Sequence, residues 1–240
     1  MEIFRKMSFA DSTGDAIPFY HEGKYHIFSL TSPPGTTVYP ERLRTTWSHS
    51  ISDDLVHWQE LPTALYPGEG DEPDASGVWT GSVIYGEGQY HAFYTGYCLT
   101  AEFQQTICHA TSDDGITWTK DIANPVITPM TELYEKLDWR DPYVFYNEED
   151  ENYWILISAR RLDMPVTRRG CIVLYRSKNL KDWTYYGPIY SPGHTNCPEC
   201  PEMYKMGGHW YLSYSRFSEF VNTIYLSLIH ISEPTRPLYI

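Results

Sequence analysis

Asp15, Asp141 and Glu199 each stand near the head of a short, aromatic-rich segment, and the segments repeat. They begin Gly14-Asp15-Ala16-Ile17-Pro18, Trp79-Thr80-Gly81-Ser82, Arg140-Asp141-Pro142-Tyr143 and Glu199-Cys200-Pro201-Glu202. Each then turns back into a second strand, where Tyr25, Tyr90, Tyr153 and Trp210 hold equivalent places at intervals of 65, 63 and 57 residues. Repeats of this kind arrange as blades about an axis, so the starts of the first strands converge and the three acids meet in one funnel. Converging carboxyl groups suit the cleavage of a glycosidic bond. One must be ionised to meet an oxocarbenium-like centre and one protonated to help the leaving oxygen depart. A single acid at a strand start is ordinarily a turn or solvated charge, but three at matching places favour catalysis. Asp11 competes with Asp15 for the first position, and Glu202 is expected to support Glu199 by hydrogen bonding.

The elements that must position these acids are strands. A second marker closes the first three units: Ser52-Asp53-Asp54 before Trp58, Ser112-Asp113-Asp114 before Trp118, and Ser177-Lys178-Asn179 before Trp183. Short polar side chains satisfy local backbone groups, so each marker reads as a turn, and each Trp as the start of a fourth strand packed between neighbouring blades. Strands rich in Tyr, Trp, Ile and Val between Gly, Asp and Asn turns predict an all-β chain. Propellers repeat four-stranded sheets radially. The repeat exceeds the roughly 40–50 residues of common propeller signatures, and the excess sits in loops 32–42 and 67–77, where a substrate rim is expected. A β-sandwich with similar hairpins is the competing architecture.

Eighteen Lys and Arg against 31 Asp and Glu leave a formal net charge of −13, which disfavours nucleic acid and anionic membranes as partners. No apolar run approaches the roughly 20 residues of a membrane span. Five cysteines without a disulfide-like framework, and a start without an apolar signal region, predict a cytoplasmic protein. Cys197 and Cys200 form a C-x-x-C near His194 and His209, which raises zinc. The lack of a second C-x-x-C favours structural thiols and no metal. Asp71, Asp74 and the pairs Asp53-Asp54 and Asp113-Asp114 lack the spacing of a calcium loop. No cofactor is expected. Trp79, Thr80, Ser82, Arg140 and Trp47 are the expected substrate contacts. Trp79 has a structural alternative in closing the core, and His49 reads as a core histidine.

The ordered motifs Trp47-Ser48-His49-Ser50 through Trp58, Trp79-Thr80-Gly81-Ser82, Arg140-Asp141-Pro142 and Glu199-Cys200-Pro201 resemble glycoside hydrolase family 32, the invertase, levanase and fructanase family. The resemblance spans roughly residues 10–225. It implies a five-bladed β-propeller, of which about four blades are present here, and a small carbohydrate substrate. It assigns Asp15 as nucleophile, Asp141 as the hydroxyl-binding stabiliser of the transition state, and Glu199 as acid/base; burial and nearby acids are expected to raise the Glu199 pKa. Retaining cleavage of β-fructofuranosides such as sucrose or short fructans is the leading expectation. Inverting arabinanase- or xylosidase-like relatives and a non-catalytic sugar-binding propeller are the alternatives. Two motifs depart from the family. Gly14-Asp15-Ala16-Ile17-Pro18 stands where Asn-Asp-Pro-Asn-Gly is usual, and Leu30-Thr31-Ser32-Pro33-Pro34 where Gln-x-Asn-Pro is usual.

Residues 226–236 break the pattern and resemble the translation of a sequencing adapter. The expected organisation is therefore a propeller domain over 1–225, truncated in its fourth blade without the C-terminal β-sandwich, and a non-native tail over 226–240.

Overall fold

Residues 13–36, 38–217 and 225–231 are described by a computed structural model. They form four antiparallel sheets in chain order, three of four strands and one of three. The first sheet is β1 (Thr13–His21), β2 (Lys24–Thr31), β3 (Thr46–Ser52) and β4 (Trp58–Leu65). The second is β5 (Gly77–Gly86), β6 (Gln89–Tyr97), β7 (Gln105–Ser112) and β8 (Thr119–Lys120). The third is β9 (Arg140–Asn147), β10 (Asn152–Arg160), β11 (Gly170–Ser177) and β12 (Thr184–Tyr190). The fourth is β13 (Cys197–Met206), β14 (His209–Phe217) and β15 (Tyr225–Ile231). Two 3-10 turns, Glu41–Leu43 and Val166–Arg168, are the helical elements among the described residues. β1 lies against β5, β5 against β9 and β9 against β13, so the first strands line the axis of a propeller arc.

Side-chain alternation explains how the blades stack. On β6, Ala92 and Tyr94 face the first blade, where they join Ile17, Phe28, Trp47 and Leu65, while Phe93 faces the third. On β10, Ile155 and Ile157 face the second blade while Trp154 and Leu156 pack with Met203, Trp210 and Leu212 of the fourth. A strand buried on both faces reads as an unbroken apolar run, as Tyr153 to Ile157 does. The marker tryptophans reach backwards across these interfaces. Trp118 meets Phe28 edge-on at 5.9 Å, and Trp183 meets Phe93 at 5.3 Å.

The polar turns before those tryptophans share one hydrogen-bond scheme. Ser52, Ser112 and Ser177 accept a backbone N–H two or three residues on. Asp54, Asp114 and Asn179 each accept two more. The next residue takes a left-handed conformation: Leu55 at φ 64°, Gly115 at 71° and Leu180 at 60°. Residues 225–231, within or beside the string set apart above, pair with β14 from Arg216↔Tyr225 to Trp210↔Ile231. Asp11 and residues 232–240 lie outside the described residues.

Leu55 is exposed, whereas Leu180 is buried in the core. A left-handed non-glycine residue costs roughly 1–2 kcal/mol, partly offset by the roughly 0.4–1 kcal/mol that glycine adds to unfolded-chain entropy. Leu55→Gly is therefore expected to stabilise the fold by about 0.5 kcal/mol, measured by urea unfolding. A lower midpoint would show that Leu55 is held by packing instead.

Candidate active site

All four inner strands carry the same irregularity at the same place. Two residues oppose one partner: Gly14-Asp15 opposite Leu30, Trp79-Thr80 opposite Thr95, Asp141-Pro142 opposite Ile157, and Cys200-Pro201 opposite Tyr214. Such a bulge breaks the ladder and re-aims the side chains at it. Asp141 and Cys200 take positive φ, 57° and 49°, which turns their peptide units toward the axis. The acids consequently do not hold equivalent positions, as the repeat had suggested. Glu199 precedes its bulge, Asp141 is the first residue of its bulge, and Asp15 is the second of its own. That stepped placement puts all three around one cavity of about 420 Å³, lined also by Trp79, Thr80, Arg140, Cys200, Tyr39 and Arg42.

Arg140 organises the electrostatics. Its Nη2 donates to Glu199 Oε1 at 2.8 Å, and its Nε lies 3.7 Å from Asp141 Oδ2. Its Nη1 donates to Asp138 and, at 3.1 Å, to Gln105 Oε1. The Cys200 N–H donates to Asp141 Oδ2 at 3.0 Å. Burial raises the Asp141 carboxyl to about 6; Arg140 and the Cys200 N–H oppose the shift, and Glu199 and Asp15 add to it.

Asp15 is held from the second and fourth blades. Thr80 donates its hydroxyl to Asp15 Oδ2, and Cys200 Sγ lies 3.7 Å from the same oxygen. Burial, with Asp141 and Asp15 close by, pushes the Cys200 thiol well above its ordinary value, so it remains a donor. Thr95 joins two blades: its hydroxyl donates to Thr80 O at 2.9 Å and accepts the Asp141 N–H at 2.8 Å. Thr95, Gln105 and Asp138 were not anticipated from sequence. Thr95 left a signal, a polar residue in the apolar run Ala92–Tyr97.

Several expected contacts lie elsewhere. Trp47 is fully buried against Phe28 and Tyr94, and its indole N–H donates to Trp79 O at 2.9 Å. It props the cavity wall and does not line it, because its face of β3 is covered by the second blade. Trp79 does line the cavity, fixed by stacking on Tyr97 at 4.1 Å and by donating to Leu43 O at 3.0 Å. Gly77 makes that approach possible, since a Cβ there would lie 2.3 Å from Leu43 O. Ser82 lines a second cavity deeper along the axis, and its hydroxyl is committed to Pro142 O and Val144 N, both at 2.8 Å. Glu202 also faces that deeper cavity, where it accepts from Ser213 at 3.5 Å in place of supporting Glu199. His49 is a core residue, sharing a 2.9 Å hydrogen bond with His26. Asp74 is buried against Lys120 and Tyr94. Among the described residues no group of three or more His, Cys, Asp or Glu is disposed to hold a metal.

With this geometry in place, comparison with known proteins is decisive for ancestry. The model of the glycosyl hydrolases family 32 N-terminal domain matches residues 15–234. The chain belongs to family 32. A levanase of Bacillus subtilis (strain 168) is 33% identical over 198 residues, covering 78% of this chain and 26% of its own length. A raffinose invertase of Escherichia coli is 32% identical over 200 residues, covering 80% of this chain and 38% of its own. The structure of a Bombyx mori family 32 β-fructofuranosidase superposes with a TM-score of 0.75 at 25% identity, over 91% of this chain and 46% of that one. The chain therefore spans from about a quarter to just under half the length of these relatives.

The raised Asp141 carboxyl predicts a signed pH effect. The folded state holds its proton between the unfolded value near 3.8 and about 6, so stability falls as pH rises through that window and the cost is complete above it. Asp141→Asn removes this cost. Its stability relative to the parent is expected to be greater at about pH 7.5 than at about pH 4, by on the order of 2–3 kcal/mol. Paired urea titrations measure it; equal differences at both pH values would contradict the assignment.

Proposed function

We propose that this chain is the propeller portion of a retaining β-fructofuranoside hydrolase, with Asp15 as nucleophile, Glu199 as acid/base and Asp141 as transition-state stabiliser. The observation that carries the reading is the meeting of three carboxylates from three blades around one sugar-sized cavity, in a member of family 32. The names of its relatives, a levanase and a raffinose invertase, support short β-fructosides as the substrate class.

In this mechanism an Asp15 oxygen, aimed by Thr80, attacks the anomeric carbon as the bond to the leaving oxygen breaks. Glu199 gives that oxygen its proton. The resulting glycosyl-enzyme is opened by water, whose proton passes to Glu199 while the bond to Asp15 breaks. Positive charge on the ring is greatest between these states, and ionised Asp141 then interacts most strongly. Trp79 offers an aromatic face beside the ring.

The test is turnover of sucrose and 1-kestose followed by proton NMR. Fructose released first as the β-anomer supports retention, whereas first release of the α-anomer favours the inverting relatives. Binding without turnover would favour a lectin-like propeller. Asp15→Asn and Glu199→Gln are each expected to lower kcat by about a thousandfold or more. Because Asp141 acts ionised, kcat/KM is expected to rise with pH through about 6, and this limb should vanish in Asp141→Asn.

A further inference from the structure

Arg140 is the inner end of a ladder of alternating charges that starts at the surface of the third blade. Arg169 pairs with Glu135, and Arg160 Nε lies 3.1 Å from the other Glu135 oxygen. Arg160 Nη1 reaches Asp138 Oδ2 at 2.9 Å, while Asp138 Oδ1 accepts from Arg140 Nη1. Arg140 then meets Glu199. Three guanidiniums alternate with three carboxylates, each of the inner side chains no more than 25% exposed. Asp138 is the carboxylate that joins Arg140 to the outer ladder, and it touches none of the reacting groups. Its segment is anchored by Glu135, whose N–H donates to Arg160 O at 2.9 Å, and by Trp139, which is fully buried.

A guanidinium is planar, so fixing one edge fixes the other. With Nη1 committed to Asp138 and Gln105, Nη2 is turned to Glu199 and Nε to Asp141. Asp138 also takes part of the positive charge. Without its anion, Arg160 and Arg140 would be two cations facing an uncharged neighbour, and Arg140 would be driven onto the carboxylates of the cavity.

We propose that Asp138 is a positioning residue of the site: it orients Arg140 and sets how much of that guanidinium's charge falls on Asp141 and Glu199. The placement deepens the proposed hydrolase mechanism, but its consequences are electrostatic and can be read without turnover. The groups facing Asp141 are Arg140 on its own strand, Asp15 on β1, and Glu199 and Cys200 on β13. Only Arg140 among them is tied to Asp138.

The experiment is a carboxyl-carbon NMR titration of Asp141 in the parent, Asp138→Asn, Asp138→Glu and Glu135→Gln proteins, with thermal midpoints recorded alongside. The Asp141 titration midpoint is expected to fall by about one pH unit in Asp138→Asn. It should recover at least half of that in Asp138→Glu, which keeps the charge and serves as the test if the Asn variant does not fold. Glu135→Gln breaks the same ladder one step further out. It is expected to lower the thermal midpoint while leaving the Asp141 titration within about 0.2 pH units of the parent. An unmoved Asp141 midpoint in Asp138→Asn, or an equal shift in Glu135→Gln, would overturn the proposal. Failure of sucrose turnover would bear on the hydrolase reading alone, since no arm of this experiment measures it.

Discussion

Carboxylates do not share a small cavity unless something positive holds them, and here one buried guanidinium does so. Arg140 touches Glu199 and Asp138 directly and stands 3.7 Å from Asp141. At an effective dielectric constant of about 20, two unit charges about 4 Å apart interact by roughly 4 kcal/mol. Replacing that attraction with carboxylate–carboxylate repulsion would change the local energy by a large share of a domain's whole stability. The overall charge of −13 makes the constraint sharper, because little long-range positive potential exists to help. Arg42, the other cation lining the cavity, is exposed at the rim and screened by solvent.

The bulges are the backbone counterpart of that interaction. An ideal strand directs successive side chains to opposite faces, so a regular β9 and β13 would send neighbouring residues into separate blade interfaces. At the bulges this alternation fails, and Arg140 with Asp141, and Glu199 with Cys200, reach the same cavity from consecutive positions. The positive φ of Asp141 and Cys200 carries a steric cost that Asp tolerates better than Cys. At Cys200 the strained peptide has a visible return: its N–H is the donor to Asp141 Oδ2. Thr95 accepts the Asp141 backbone N–H, so the main chain and the carboxylate of Asp141 are anchored by groups from different blades.

Much of this was legible before any coordinates. The two repeating markers gave the blades, their order and the convergence of Asp15, Asp141 and Glu199, because aromatic strands and Ser-Asp turns have residue-type signatures. The stepped placement of the acids was not legible, since a bulge is a failure of pairing and leaves only indirect traces. Pro142 and Pro201 are such traces: proline cannot donate to a ladder, and inside a strand it marks an edge or a bulge. Trp47 misled for a related reason. Trp47, Ser48, His49 and Ser50 are all buried, so polarity along β3 does not reveal which face meets the cavity. Asp138 was invisible because its importance lies in two arginines that the chain brings to it from Arg140 and Arg160, on different strands.

The departures from the family pattern can now be located in space. Gly14, Leu30 and Ser32 line the cavity beside Asp15, where the family usually supplies amide side chains. A wall of glycine, leucine and serine offers one hydroxyl, and Ser32 already spends its hydrogen on Arg42 O at 3.0 Å. With Tyr39 and Arg42 of the first blade also lining the cavity, the sugar hydroxyls in the proposed mechanism meet Arg140, Asp141, Glu199 and Thr80 of the other blades. Those groups also surround the place where charge develops. Binding in such a site draws on the same contacts that strengthen in the transition state, so little of it is spent on the ground state alone.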